Sequence, residues 1–220
     1  ASSVEDIDAV IMSTGYSFGF PYLENGELIN VNENRVDLYK WMYPPELSKH
    51  NNVAVVGLIQ PLGSIMPISE MQCRLFCDVL SGHTRLPDRF DMKRDIQLKK
   101  DQMAKQYVTS RRHTIQVSYI PYMDELAELM GAKPDVKATL FEDPRLAYQL
   151  MFGPAAPYQY RLVGPHKWEG ARDALMTLMD RVLAPTKTRK VPTAAEYPLW
   201  FWVLMAHLVV FIIYQLFFNH

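Results

Sequence analysis

Two short segments of this 220-residue chain carry residue types suited to chemistry. The first is Ser13-Thr14-Gly15-Tyr16, which follows the apolar run Asp8-Ala9-Val10-Ile11-Met12. The second runs from Gly57 to Glu70 and reads GLIQPLGSIMPISE. Here a strand-like run ends in a Gly/Pro/Ser loop, Gln60-Pro61-Leu62-Gly63-Ser64, at the start of a helix. A helix start presents free N–H groups and partial positive charge, which suits a phosphate or an electron-rich ring edge. No self-contained catalytic constellation accompanies these segments. G-x-S-x-G, H-E-x-x-H, a Walker loop and G-x-G-x-x-G are all absent from the sequence. The six histidines are scattered, so each reads as a surface or loop residue, and no catalytic residue or metal ligand is assigned. The acid pairs Asp124–Glu125 and Glu142–Asp143 are expected at helix starts, where they complement the dipole. Cys73 and Cys77 lack the partners of a zinc site and read as reduced, half-buried thiols in a cytosolic body.

The elements that must position the two segments follow from periodicity. Asp8–Met12 has the pattern of a buried strand, ended by Thr14-Gly15. Residues 28–32 and 35–40 alternate around Asn32–Asn34 and predict a hairpin. Val53–Ile59 is continuously apolar, as in a strand covered on both faces. The next helix is expected from Pro67 to Ser81, with Gly82 at its end and Ile68, Met71, Leu75, Phe76 and Val79 as its apolar stripe. Residues 88–108 predict a charged, solvated helix. Further helices are expected over 122–130, 144–151 and 168–183, with an ordered aromatic loop from Gly153 to Gly164.

Lys and Arg number 23 against 24 Asp and Glu, a net charge of -1, which excludes a strongly basic nucleic-acid binder. The apolar residues are unevenly placed. Leu199–Phe218 is apolar except for His207 and Gln215, and Pro198–Phe218 holds no charged residue. Twenty helical residues span roughly 30 Å, the thickness of a bilayer core. Trp200 and Trp202 stand at one end and Tyr214 near the other, with Arg181, Lys187, Arg189 and Lys190 before them. The segment therefore predicts a tail anchor with the body on the cytosolic side.

The strings STGYSFGFPYL (13–23), VVGLIQPLGSIMPISEMQ (55–72), YMDELAELMGAKPD (122–135), FEDPRLAYQLMFGP (141–154) and YQYRLVGPHKWEGAR (158–172) resemble the C-terminal half of the flavin-containing monooxygenases, the microsomal dimethylaniline N-oxide-forming enzymes. KTRK (187–190) and the apolar tail extend the resemblance along essentially the whole chain. It implies an α/β fold: part of a Rossmann-like, two-dinucleotide-binding FAD domain, followed by C-terminal helices and one transmembrane helix. FAD and NADPH are the implied cofactors, and O2 with soft nitrogen or sulfur nucleophiles the implied substrates. Thr14, Gly15 and Tyr16 match the family's A-T-G-Y motif near the cofactors. Gln60, Pro61, Leu62, Gly63 and Ser64 match the loop beside flavin and nicotinamide.

The resemblance also implies boundaries: residues 1–86 as the dinucleotide-binding part, 87–185 as a helical region packed on it, 186–197 as a basic linker and 198–218 as the anchor. The implied partners are membrane lipid and small nucleophiles, with no nucleic acid; a homo-oligomer is compatible. The implied site is the endoplasmic reticulum membrane. Ser13 stands where the family has Ala, and His166 where it has the second Gly of Gly-Pro-Gly, a place suited to positive φ. The family's glycine-rich FAD and NADPH fingerprints have no counterpart in the sequence. The chain opens Ala1-Ser2-Ser3 without Met, so it reads as the latter two-fifths of a larger enzyme, inactive alone, with Asp8–Met12 and Val53–Leu58 as exposed strand edges. The alternative is a shortened, membrane-anchored module that binds or dimerises without catalysis.

Overall fold

The computed structural model describes residues 5–107, 113–188 and 199–218, with side chains in the last stretch from Trp200 to Val209. Two compact units are present, residues 1–176 and 177–220.

Strands in the first unit are short. β1 (Val31–Asn32) and β2 (Arg35–Val36) form the expected antiparallel hairpin, pairing Val31 with Val36 and Asn32 with Arg35. Its two turn residues, Glu33 and Asn34, both have positive φ, at 51° and 59°. That backbone matches the twist of a tight hairpin, and Asn is a residue that tolerates it. β3 (Gln60–Pro61) pairs in parallel with β4 (Gln116–Val117). The two long strands expected from the sequence are not formed. Asp8–Met12 has no regular structure, and Ile11 is 90% exposed. Val53–Ile59 is irregular and half-covered, tied by Val55 N–H to the Met42 carbonyl at 2.9 Å. A continuous apolar run becomes a strand only beside other strands that satisfy its backbone, and the described residues offer it none.

Helices carry the core. α1 (Ile65–Leu80) begins two residues before the expected start and ends before Gly82, whose φ of +78° closes the turn. Its stripe behaves as read: Ile68, Met71 and Leu75 are buried, and Phe76 and Val79 pack against them. α2 (Arg89–Gln106) is solvated as predicted. Asp88 caps it by accepting from Asp91 N–H at 2.9 Å, and Met92 is its sole buried residue. α3 (Tyr119–Met130) packs on α1 and ends at Gly131 with φ +66°. α4 (Val136–Glu142) precedes α5 (Pro144–Phe152); Asp143 accepts from Leu146 N–H at 3.1 Å as the dipole argument requires, whereas Glu142 is the last residue of α4 and not at a helix start. A 3₁₀ turn, Pro157–Arg161, orders the aromatic loop and buries Tyr160. The helix expected over 168–183 is interrupted. α6 (Ala171–Met176) ends at Thr177, whose ψ of 14° leaves the helical basin, and α7 (Leu178–Leu183) follows.

The main core gathers Tyr43, Ile59, Leu75, Val117, Leu126 and their neighbours. It also holds five methionines, Met42, Met71, Met92, Met123 and Met130, none more than 5% exposed. A smaller cluster joins Ile29, Val36 and Leu38 to Phe18, Phe20, Val55 and Leu58.

In the second unit, α7 leads into a 3₁₀ stretch, Ala184–Thr188. α8 (Leu199–Phe218) is one continuous helix of 20 residues. From Trp202 to Val209 every residue is exposed, so no face is reserved for a core. Side chains of α8 are described only as far as Val209, and among the described residues no helix is long and apolar enough to cross a membrane. Arg189 and Lys190 lie outside the described residues.

Candidate functional site

The segment Thr14–Tyr16 lies open on the surface: Gly15 has φ +86°, and Tyr16 is 99% exposed. One hairpin residue fastens it. Asn34 Nδ2 donates to the Tyr16 carbonyl at 3.0 Å, and Asn34 Oδ1 accepts from Phe18 N–H at 3.3 Å. The positive φ of Asn34 thus serves both the turn and the segment beyond it.

The loop Gln60–Ser64 is held at its start by β4, with Gln60 N–H donating to the Ile115 carbonyl at 2.8 Å. Beyond Pro61 it is exposed, Leu62 to 89%. Gly63 has φ +135°, a conformation side chains rarely adopt, although a Cβ there would meet Tyr119 only at an ordinary 3.7 Å. Conformation, rather than space, requires the glycine. Ser64 stands at the N-cap of α1 without a side-chain cap bond. The first amides of a helix have no intrahelical partner, so those of Ile65 and Met66 remain for another acceptor.

Behind this loop runs a buried relay that spacing arguments do not reveal. Gly57 N–H donates to Gln72 Oε1 at 2.8 Å, Gln72 Nε2 to Tyr122 Oη at 2.7 Å, and Tyr122 Oη to the Lys40 carbonyl at 2.6 Å. Gln72 is fully buried, and burial pushes the Tyr122 phenol well above its ordinary pKa, so it stays a neutral donor. Gly57 itself has φ +80°. The relay therefore joins the run entering the loop to α1, α3 and the Lys40 turn. A signal for it did exist: Gln72 lies four residues after Ile68 and three before Leu75, a polar side chain inside an apolar stripe.

The two sequence-derived segments share no hydrogen bond or ion pair among the described residues. Their flanks meet instead, since Phe18 and Phe20 follow the first, Val55 and Leu58 precede the second, and all four pack on Ile29, Val36 and Leu38.

Charges are arranged differently from expectation. Asp124 and Glu125 sit in the middle of α3, too far along to serve its dipole. Asp124 accepts from Tyr160 Oη at 2.7 Å. Glu125 accepts from Lys40 Nζ at 2.9 Å and pairs with Lys99, while Lys40 also reaches Asp95 at 2.9 Å. Burial pushes the Glu125 carboxyl up, but bonds from Lys99 and Lys40 outweigh it and hold the group below its ordinary range. Burial likewise lowers Lys40, and Asp95 and Glu125 reverse that, leaving it raised. Cys73 and Cys77 are free thiols, exposed rather than half-buried, because they project from the side of α1 opposite its stripe. No group of His, Cys, Asp and Glu suited to a metal ion occurs among the described residues.

The C-terminal loop is clamped onto α1. Arg74 donates to the carbonyls of Tyr160 (3.0 Å) and Pro165 (3.3 Å). His166 keeps φ +63° without being glycine. Its Nε2 lies 2.9 Å from Oδ1 of the buried Asp78, and its carbonyl accepts from Arg161 at 2.9 Å. These bonds hold a backbone conformation that costs a non-glycine residue about 1–2 kcal/mol. A double-mutant cycle of His166→Gly and Asp78→Ala is expected to show about 1–2 kcal/mol of coupling in urea unfolding. In the Asp78→Ala background His166→Gly should stabilise by about 1 kcal/mol; a loss there would show that the backbone is not strained.

The flavin-binding monooxygenase-like family pattern matches residues 1–219. Flavin-containing monooxygenase 5 of Rattus norvegicus is 50% identical over 190 residues, covering 86% of this chain and 35% of that protein. Dimethylaniline monooxygenase (N-oxide-forming) 2 of Rattus norvegicus is 46% identical over 209 residues, covering 95% and 39%. Among solved structures, S-allyl-L-cysteine S-oxygenase from Allium sativum aligns at 25% identity with a TM-score of 0.49, over 78% of this chain and 37% of that one. The chain thus spans little more than a third of the length of these curated relatives.

Proposed function

The chain belongs to the flavin-binding monooxygenase-like family, and from that premise we propose that it supplies one wall of an FAD- and NADPH-dependent monooxygenase acting on soft nitrogen or sulfur nucleophiles. Bound FAD, reduced by NADPH, supplies the chemistry with O2; the protein supplies orientation, exclusion of water and charge. In this reading Gln60–Ser64 lies against the flavin and Thr14–Tyr16 near both cofactors. Residues 1–86 form the dinucleotide-facing part and 87–185 the helical region that follows it.

The observation that carries the proposal is the Gln60–Ser64 loop at the uncapped start of α1. Its residues fit a flavin edge. The amides of Ile65 and Met66 suit a ring oxygen that gains negative charge, and the exposed Leu62 and Met66 offer apolar cover. Gly63 leaves the approach free of a Cβ.

The test mixes this chain with a separately expressed amino-terminal segment of a relative that carries the glycine-rich fingerprints. The chain alone should be colourless and inactive; the mixture should retain flavin and consume O2 with NADPH. A mixture that assembles yet retains no flavin would favour the alternative, a non-catalytic binding module.

We infer further that α8 anchors the chain in the endoplasmic reticulum membrane with the body in the cytosol. The support is in the sequence, where Leu199–Phe218 runs for twenty residues without a charge, and in the exposure of every residue from Trp202 to Val209. Deleting residues 198–220 should move the protein to the soluble fraction. Full retention on membranes would overturn α8 as the sole anchor.

A further inference from the structure

A cavity of about 310 Å³ lies between the hairpin side of the molecule and the C-terminal half of α2. Its origin is in the sequence of α2. After Met92 that helix offers only half-buried Ile96 and Met103 to the core, and beside them stands the small Ala104. Space opposite Val36, Leu38 and Trp41 is therefore left unfilled. Tyr107 and His113 stack at 5.6 Å and 18°, and both line the same space.

The charged residues of the lining are mainly basic. Arg35, Lys40, Lys99 and Lys100 face two acids, Asp95 and Asp101. Three of the cations are matched, Lys40 by Asp95 and Glu125, Lys99 by Glu125 and Lys100 by Asp37. Both acids are engaged, Asp95 by Lys40 and Asp101 by Gln97. Arg35 is exposed and has no acid partner among the described residues. Lys40 and Trp41 also stand out in the wall. Both hold positive φ, 52° and 51°, without being glycine. They are the central residues of a tight turn closed by Met42 N–H on the Tyr39 carbonyl at 3.0 Å, which fixes the position of both side chains.

We propose that this cavity is a binding site for a small amphipathic carboxylate, with its apolar body against Trp41, Leu38 and Met103 and its head on the Arg35 guanidinium. A planar carboxylate can take two parallel N–H bonds from that fork. The volume sits at the small end of ligand pockets, which suits a body of roughly ten carbons. Neither Thr14–Tyr16 nor Gln60–Ser64 lines it.

The probe is 4-phenylbutyrate, titrated by calorimetry into the full chain in detergent. The expected result is saturable one-to-one binding. Arg35→Met, an exposed substitution, should weaken it about tenfold. Ala104→Phe, on the solvated helix, should abolish it by filling the space, whereas partition into micelles would persist. 4-Phenylbutylamine, with the same body and opposite charge, should bind at least tenfold more weakly. Absence of saturable binding, equal binding of the amine, or indifference to both substitutions overturns the proposal.

Discussion

Tyr122→Phe is expected to lower the unfolding free energy by about 2–4 kcal/mol and to release the Gly57 amide to solvent exchange. The ring of Phe fills the same space, so the effect isolates the hydroxyl. Its loss strands two buried groups, the Lys40 carbonyl and Gln72 Nε2. Each buried group left without a partner costs about 1–3 kcal/mol. Gln72 is then free to turn, and the run that enters the Gln60–Ser64 loop loses its inner fastening. Gln72→Leu removes the same fastening directly and should give the same exchange result. Urea unfolding measures the first effect, and hydrogen exchange at Gly57 followed by NMR measures the second. Unchanged protection of Gly57 in both variants would show that the relay does not hold the loop.

Lys40→Met comes next in size, at about 2 kcal/mol near neutral pH, after allowing for the partial exposure of Asp95 and Glu125, at 28% and 26%. Methionine keeps the apolar stem and deletes the charge between the two acids. The pH dependence separates this loss from simple repacking. Glu125 is held below its ordinary range when folded, so its contribution is complete above the unfolded value of about 4.5 and fades as pH falls through the lower folded value. Lys40 is raised when folded, so its contribution is complete below about 10.5 and fades as pH rises through the higher folded value. The stability gap between wild type and Lys40→Met should therefore be flat from about pH 5 to 10 and narrow on either side. A gap that persists undiminished at pH 2 would assign the loss to packing.

Patterns that repeat within one element were legible in the sequence. The stripe of α1, the solvated α2, the hairpin turn and the glycines closing α1 and α3 all follow from local spacing and local backbone preference. The composition of Gln60–Ser64 also marked a loop entering a helix, and the structure has that arrangement. What local spacing could not supply was partnership. Val53–Ile59 has the composition of a strand, but a strand needs neighbours, and the described residues leave it irregular. Local pattern starts α3 at Tyr122 and makes Asp124 and Glu125 dipole partners, but the helix begins three residues earlier, at Tyr119. In the longer helix they face Tyr160 and Lys40, contacts 36 and 85 residues away in sequence. The Gln72–Tyr122 link spans 50 residues and depends on the packing of α1 on α3. His166 stands where the resemblance implies glycine. Its positive φ persists because Asp78 and Arg161 hold it from both sides, which no reading of the loop alone could show.

The sulfur in the core has a consequence for durability. Met42, Met71, Met92, Met123 and Met130 form flexible contacts within one cluster, and each is sealed from water. Conversion of any of them to a sulfoxide would put a polar oxygen into a closely packed apolar cluster. Such damage can begin only when the helices part, so the rate at which these thioethers are oxidised by added peroxide is a clock for the opening of the core.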